Sequence, residues 1–565
     1  MDKLDRSFHI ELGIATQRTN NLLIRDILLS GRCRESAAEI VYRDLKRYDY
    51  AVLISRVKQL ANVLVGIGVE EGDKIAVLDW DSHRYLECMF AVPMMGAIFH
   101  PVNMRLAPNV IVETILLAED DYLLIHRDFE FLLPMLQSAG RQFRGIIWLE
   151  SELSTLEAEK NIFGDYIFGD YEQLLAGAAL EYQFPELSEQ TIAAISFTKG
   201  TTGTPKGCYF SHRQLVLHTM SVLTALSAFE GGVAFRSDDV YMPFSPIFHG
   251  FGWAVPMAIT MLGAKQVFCG NAGVKEKLHL YQTEQVTFSG GEPQGLHYCL
   301  TTAQQLSIDL SGWKVMISGE RLREDVAEVA LNAGVEVGSA WGITETGPLM
   351  CLSYLSREVR AGSLQEQMQY RLKAGMPSPL VDIRVVDESS NTVAYDGVTV
   401  GEVIVRAPWA ATKFVHAKQE LLRGWRDGWY FTGDAATVDE LGYIQIQGRI
   451  DEGIRPEGHW VSCLELENLL SGLEGVAEVA VIGFSDISGE QRPCALVVPQ
   501  AGKSISLQHI RKHMKPYIEQ GSIGIWSVPA KVIEIAEIPH TVSGTVDRSA
   551  LYSRVKKDKL LENPF

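Results

Sequence analysis

Apolar positions along the first part of the chain recur at two alternating periods. Residues 50–65 place Leu53, Val57, Leu60 and Leu64 on one helical face, and Gly66 and Gly68 stop the pattern. Lys74-Ile-Ala-Val-Leu78 follows as a short continuous apolar run, the mark of a strand covered on both faces, and an apolar helix is expected near residues 85–95. Gly145-Ile-Ile-Trp-Leu149 repeats the strand pattern after another helical stretch. Such alternation predicts an α/β fold, with parallel sheets covered by helices. From about residue 380 the texture changes. Val381-Asp-Ile-Arg-Val-Val386, Gly401-Glu-Val-Ile-Val-Arg406 and Tyr443-Ile-Gln-Ile446 are short runs separated by turn signals, which predicts an antiparallel, β-barrel-like lobe. After Gly448-Arg449 a small α+β segment is expected: a helix near residues 464–470, strands at 479–482 and 495–498, and a basic tail. There is no internal repeat and no low-complexity linker. The division into a large N-terminal unit (1–447) and a small, mobile C-terminal one (448–565) is therefore placed by motif.

Length and charge narrow the chemistry. The chain has 565 residues, too many for one small core, and a formal charge of −19. That balance disfavours a general nucleic-acid or anionic-membrane binder, and any site for an anionic substrate must be locally basic. The most apolar stretch, residues 251–264, contains Pro256 and falls short of the roughly 20 residues a membrane span needs. It is expected to be core or a pocket wall, with no transmembrane segment. The N-terminus, Met-Asp-Lys-Leu-Asp-Arg, lacks the apolar run of a signal peptide. The eight cysteines include no Cys-x-x-Cys pair, which suggests reduced thiols in a cytoplasmic protein.

The sharpest local signal is Ile195-Ser-Phe-Thr-Lys-Gly-Thr-Thr-Gly-Thr-Pro-Lys-Gly207. An apolar strand runs into a loop in which Gly200 and Gly203 let backbone amides approach phosphate oxygens. Thr198, Thr201 and Thr202 add hydroxyl donors, and Lys206 balances charge. A solvated Gly/Thr turn is the plain alternative. The spacing is not that of the Gly-x-x-x-x-Gly-Lys-Ser/Thr loop. Ser211 and Gln214 are placed to start the next helix as a capping box.

Further motifs follow in order: Pro246-Ile-Phe-His-Gly-Phe-Gly252, Ser318-Gly-Glu-Arg-Leu322, Trp341-Gly-Ile-Thr-Glu-Thr346, Trp429-Tyr-Phe-Thr-Gly-Asp434 and Gly448-Arg-Ile-Asp-Glu-Gly-Ile-Arg455. With the glycine–threonine loop they resemble the signatures of the adenylate-forming superfamily of acyl-CoA synthetases, luciferases and adenylation domains. The motif style is most similar to that of bacterial medium- and long-chain fatty acyl-CoA synthetases. Each residue alone has a structural explanation, as core aromatic, satisfied histidine or turn cap; the ordered set does not.

The resemblance implies an AMP-forming acyl-CoA ligase using ATP, Mg²⁺ and coenzyme A as co-substrate. It implies that Asp434, supported by Arg449, binds ribose, that Trp341 and Gly342 with Gly319, Glu320 and Arg321 frame adenine, and that Glu345 ligates Mg²⁺. Lys206, Thr344, Thr198 and the loop residues surround the phosphates. His249 stands between nucleotide and acyl channel, the acyl pocket being formed by Phe251, Gly252, Trp253, Gly290, Gly291 and Ala340. Asp451 is the hinge, and Gly458, His459 and Trp460 line the path of CoA, although Trp460 has an equal claim as an interface anchor. Partners reduce to these small molecules and, at most, a second copy of the chain as a homodimer.

Two positions depart from the family pattern. Pro539-His-Thr-Val-Ser-Gly-Thr545 carries Thr545 where the family has a catalytic lysine, and Lys199 stands where it usually has serine. Two readings stay open: Lys199 supplies charge to the triphosphate from the large unit, or it faces solvent and the chain adenylates poorly. Gly290 and Gly291 leave room for a bulky or extended acyl group, while Glu292 either meets a polar substituent of the acid or, as is expected because a buried unpaired carboxylate is costly, faces a backbone donor outside the pocket. Loading of a separate carrier protein, and an adenylation-deficient relative that only binds nucleotide or acyl-adenylate, remain as alternatives.

Overall fold

Lys74–Leu78 becomes a central strand because both of its faces are covered; Ile75, Ala76, Val77 and Leu78 are fully buried. In the computed structural model, which describes residues 21–32, 38–150, 166–199, 205–244, 246–248, 250–416, 424–486, 489–520, 523–540 and 546–558, this strand pairs in parallel with Ile98–Pro101 and with Tyr122–His126. The sheet runs in the order Lys413–Phe414, Pro205–Ser211, Ile192–Lys199, Ile98–Pro101, Lys74–Leu78, Tyr122–His126, Gly145–Glu150, Ile167–Asp170. Its ladders are parallel except for the two made by Pro205–Ser211. The phosphate-loop candidate therefore joins the outermost parallel strand to one that turns back beside it. Tyr50–Gly66 is the expected helix, started by Asp49, whose side chain accepts from the Val52 amide. The next, His83–Met94, is buried at every residue.

A second sheet repeats the plan. Its parallel centre is Glu39–Tyr42, Lys265–Phe268, Val240–Tyr241, Phe288–Gly291, Lys314–Ile317 and Glu336–Trp341. The apolar run at 251–264 is the helix Gly250–Leu262, with Val255, Met257, Ala258 and Ile259 buried, and among the described residues no helix is long and apolar enough to cross a membrane. The ends of Phe288–Gly291, Lys314–Ile317 and Glu336–Trp341 release the chain on one side, where open α/β sheets place their ligands.

The change of texture near 380 marks a five-stranded antiparallel sheet of Asp382–Val386, Gly401–Arg406, Trp425–Arg426, Trp429–Val438 and Ile444–Arg449. It wraps around Val385, Val403, Val405, Ala436, Val438 and Ile444, forming the barrel-like lobe. Beyond the turn Ile450–Glu452, Val476–Ser485, Gln491–Pro499 and Lys531–Glu534 form a separate three-stranded sheet. Strict alternation sends Val479, Val481, Ala495 and Val497 to one face, against Leu466 and Ile510. Ala480, Ile482, Cys494 and Leu496 go to the other, against Leu551 and Val555. Each face thus needs its own helical cover, which Cys463–Ser471 and Leu507–Glu519 supply on one side and Arg548–Lys557 on the other.

Candidate active site

The ladder between Trp429–Val438 and Ile444–Arg449 sets Asp434 directly opposite Arg449. Arg449 Nη1 donates to Asp434 Oδ1 at 2.9 Å and to the Thr432 carbonyl at 2.8 Å. Trp341, arriving from the second sheet, donates its indole N–H to the other oxygen, Oδ2, at 3.1 Å. Gly433 makes this possible. Its φ is +73°, and a Cβ there would lie 2.4 Å from Arg449 Nη2. Asp434 is 7% exposed; burial raises its carboxyl pKa, opposed by Arg449 and by the bond from Trp341. Each carboxylate oxygen keeps a lone pair free after these bonds, so the group can still accept from a diol.

Glu345 lies in the turn Thr344–Thr346, fixed through its carbonyl, which accepts from the Ala411 amide at 2.8 Å. Burial raises its carboxyl pKa, while Lys206 and Arg449 pull it down. Lys206 stands across the hairpin from Thr198. Among the described residues no three His, Cys, Asp or Glu side chains gather as a metal cage. The half-buried Glu345 carboxylate, on which Lys206 acts, still fits Mg²⁺, an ion bound by one or two carboxylates plus substrate phosphates.

Asp434, Arg449 and Trp341 face a cavity of about 530 Å³. Gly319, Glu320, Arg321, Ala340, Trp341, Gly342, Asp434 and Arg449 line it from one side, and Gly453, Trp460, Cys463, Asn468, Val546 and Arg548 from the other. Its lining residues leave polar atoms buried without a partner among the described residues: Glu320 Oε1, Gln447 Oε1, Arg449 Nε, Trp460 Nε1, Asn468 Nδ2 and Arg548 Nε. Buried polar atoms are normally satisfied, so this set marks a place for a polar ligand or water.

Gly290 and Gly291 have a structural role. The Gly290 carbonyl accepts from the Phe244 amide at 2.9 Å, and that of Gly291 from the Ser318 amide at 3.0 Å, anchoring the loop that carries Gly319 to Arg321. Glu292 corrects the expectation. Among the described residues it meets no backbone donor but an ion-pair partner, Arg105 Nη1 donating to its two oxygens at 2.7 and 2.8 Å. Arg105 comes from the loop after Ile98–Pro101, far away in sequence, so only the packing of the two sheets reveals it.

Glu320 is the group whose protonation changes most usefully. Burial, with repulsion from Glu292, pushes its carboxyl up to about 7 against an ordinary 4.5, and His540 acts the other way. The native state then holds a proton that the unfolded chain has lost between these values, so this contribution to stability falls as pH rises through about 7. Glu320→Gln is expected to remove that slope. Thermal unfolding at about pH 5 and pH 8 should show the variant gaining on the order of 1–2 kcal/mol relative to the native chain, after discounting for solvent. A stability difference that does not change with pH would refute this.

On the small unit, His459 is already occupied, stacked on Trp526 with centroids 3.7 Å apart, whereas Trp460 lines the cavity. Asp451, 64% exposed, has Oδ1 at 3.7 Å from Arg449 Nε. Gly200, Thr201, Thr202, Gly203, His249 and Thr545 lie outside the described residues, as do the side chains of Lys199, Phe251, Gly252 and Trp253. Several residues escaped the sequence reading. Asp81, pushed up to about 7 by burial, accepts from the Ile247 amide at 2.7 Å and so holds the loop before His249. Its position just beyond the strand Lys74–Leu78 was the available signal. Arg548, bound to Glu467 at 2.7 Å, and Asn468 had none, since nothing in their spacing ties them to the cavity.

The chain is similar to known proteins along most of its length. The family model described as AMP-binding enzyme matches residues 31–414, and that of the AMP-binding enzyme C-terminal domain matches residues 465–545. A long-chain-fatty-acid–CoA ligase from Thermus thermophilus is 31% identical over 547 residues, covering 95% of both chains. A 3-methylmercaptopropionyl-CoA ligase from Ruegeria lacuscaerulensis is 29% identical, with 95% of this chain and 98% of the relative covered. Among solved structures, an anthranilate CoA ligase in complex with anthranoyl-AMP superposes with a TM-score of 0.79 at 21% identity, covering 95% of this chain and 98% of that one. With the Asp434–Arg449–Trp341 cluster on the cavity wall, the chain belongs to the AMP-binding enzyme family and is an AMP-forming acid–thiol ligase.

Proposed function

We propose that this chain activates a fatty or aryl-alkanoic acid with ATP and passes the acyl group to coenzyme A. The observation that carries the reading is the buried Asp434, held from both sides by Trp341 and Arg449 on the wall of the cleft. The names of similar proteins, ligases of long-chain fatty acids, 3-methylmercaptopropionate and indoleacetate, support the substrate range.

In the first half-reaction a carboxylate oxygen attacks the α-phosphorus, the bond to pyrophosphate breaks, and an acyl-adenylate forms. In the second a thiol attacks the acyl carbon and AMP leaves. The chain contributes position and charge more than covalent chemistry. Asp434 accepts from the ribose hydroxyls, and Trp341 offers an aromatic face to adenine beside Gly319, Glu320 and Gly342. Lys206, with Thr198, Thr201, Thr202 and Thr344, holds the phosphates, and Glu345 would hold Mg²⁺, which would supply further positive charge against them. The small unit turns about Asp451 between the two steps and brings Trp460 toward the thiol arm.

The deciding assay supplies ATP, Mg²⁺, CoA and a panel of acids, and follows AMP and thioester by mass spectrometry. AMP and thioester in equal amounts are expected. Acyl-adenylate that reaches only a carrier protein, or binding with no turnover on any acid, would overturn the reading; Thr545 keeps the latter outcome in view.

A further inference from the structure

The other arginines that line the cleft are neutralised by carboxylates. Arg449 is bound to Asp434. Arg548 donates to Glu467 at 2.7 Å and lies 3.3 Å from Glu452. Arg323 pairs with Asp325 on the surface. Arg321 differs. It lines the same cavity, yet among the described residues it makes no hydrogen bond and has no carboxylate within ion-pair distance. Glu465, from the small unit, and Glu324 act on it only from farther off, and burial holds its pKa below the usual arginine range. Its neighbour Glu320, pushed up to about 7, is a poor counter-ion. A guanidinium half withdrawn from water without a counter-charge is costly unless a ligand supplies the anion. Its planar fork matches phosphate oxygens in particular.

We propose that Arg321 is a phosphate-binding residue of this cleft, gripping a phosphate of the ligand that lies between the two units. This rests on the function proposed above. Two phosphates share the required chemistry: the α-phosphate of the nucleotide and the phosphates of coenzyme A. The nucleotide's is anchored nearby, since Asp434 and Trp341 line the same cavity; CoA's would enter from the side of Trp460.

Titration calorimetry on the full chain separates them. Affinities are measured for AMP against adenosine, and for CoA against pantetheine, with the native chain, Arg321→Gln and Arg321→Lys. Arg321→Gln is expected to weaken the phosphate-bearing member of one pair by roughly 10- to 100-fold, leaving its phosphate-free partner within about twofold, and Arg321→Lys to restore most of the loss. Loss confined to AMP assigns the nucleotide phosphate; loss confined to CoA assigns the CoA phosphates. Equal changes within each pair, or none, overturn the proposal, because a merely structural role would not distinguish the two members. Should Arg321→Gln fail to fold, Arg321→Met carries the same comparison. A native chain that binds neither AMP nor CoA would sink the proposed function itself; native binding that Arg321 variants leave intact would sink only this inference.

Discussion

Asp434→Ala is expected to lower kcat/KM for ATP by about a hundred- to a thousand-fold. Two hydrogen bonds from the ribose hydroxyls would be lost, and bonds to a charged group are worth roughly 1.5–3 kcal/mol each. The side chain has a second role, because it neutralises Arg449 and fixes the Trp341 indole. Removing one member of a buried charge pair costs about 3–5 kcal/mol, and Arg449, with a third of its side chain exposed, should fall at the low end. Asp434→Asn separates the two effects, since it keeps the shape and a bond to Trp341 but removes the charge. Steady-state kinetics over ATP concentration, together with thermal unfolding, provide the check. An alanine variant that keeps kcat/KM within about threefold of the native value could not be reconciled with a ribose-binding role, for which two charged hydrogen bonds are at stake.

Thr545→Lys is expected to accelerate adenylation. A preorganised cationic donor aimed at developing charge is worth about 2.7–4 kcal/mol, or roughly a hundred- to a thousand-fold in rate. The gain should be seen in ATP–pyrophosphate exchange and should be small in transfer from preformed acyl-adenylate to CoA, a step in which no α-phosphate is attacked. Lys199→Ser is the companion measurement. If Lys199 supplies compensating charge, the serine variant loses exchange activity and Thr545→Lys restores it. If Lys199→Ser exchanges as fast as the native chain, compensation is ruled out. If Thr545→Lys alone changes nothing, the residue at 545 does not limit adenylation.

The sequence was most informative where chemistry is local. The capping box at Ser211 and Gln214 is present as expected, because both partners sit within one turn. Lys74–Leu78 and Gly401–Arg406 match their runs residue for residue, the first because burial on both faces leaves a continuous apolar signature, the second because Val403, Ile404 and Val405 are buried between polar neighbours. Asp434 and Arg449 could be singled out by motif, yet their pairing depends on a ladder whose register shifts between Ala435 and Ala436. Periodicity alone does not locate such a bulge. Glu292 shows the limit most clearly. Its partner, Arg105, is contributed by the other large sheet, and a carboxylate's environment depends on what folding brings against it.

The order of glycine, threonine, tryptophan and carboxylate motifs, and the helix–strand alternation around them, determined the α/β class and the nucleotide chemistry without coordinates, because backbone approach, stacking and hydrogen bonding depend on residue type and short spacing. Which charges are spent and which remain available was decided only by tertiary structure. Among the described residues Arg321 stands without a partner while Arg548 is held by two carboxylates, and Glu320 keeps its proton to about 7. Charge is long-ranged and burial is collective, so neither can be summed along a chain before the chain has closed around its cleft.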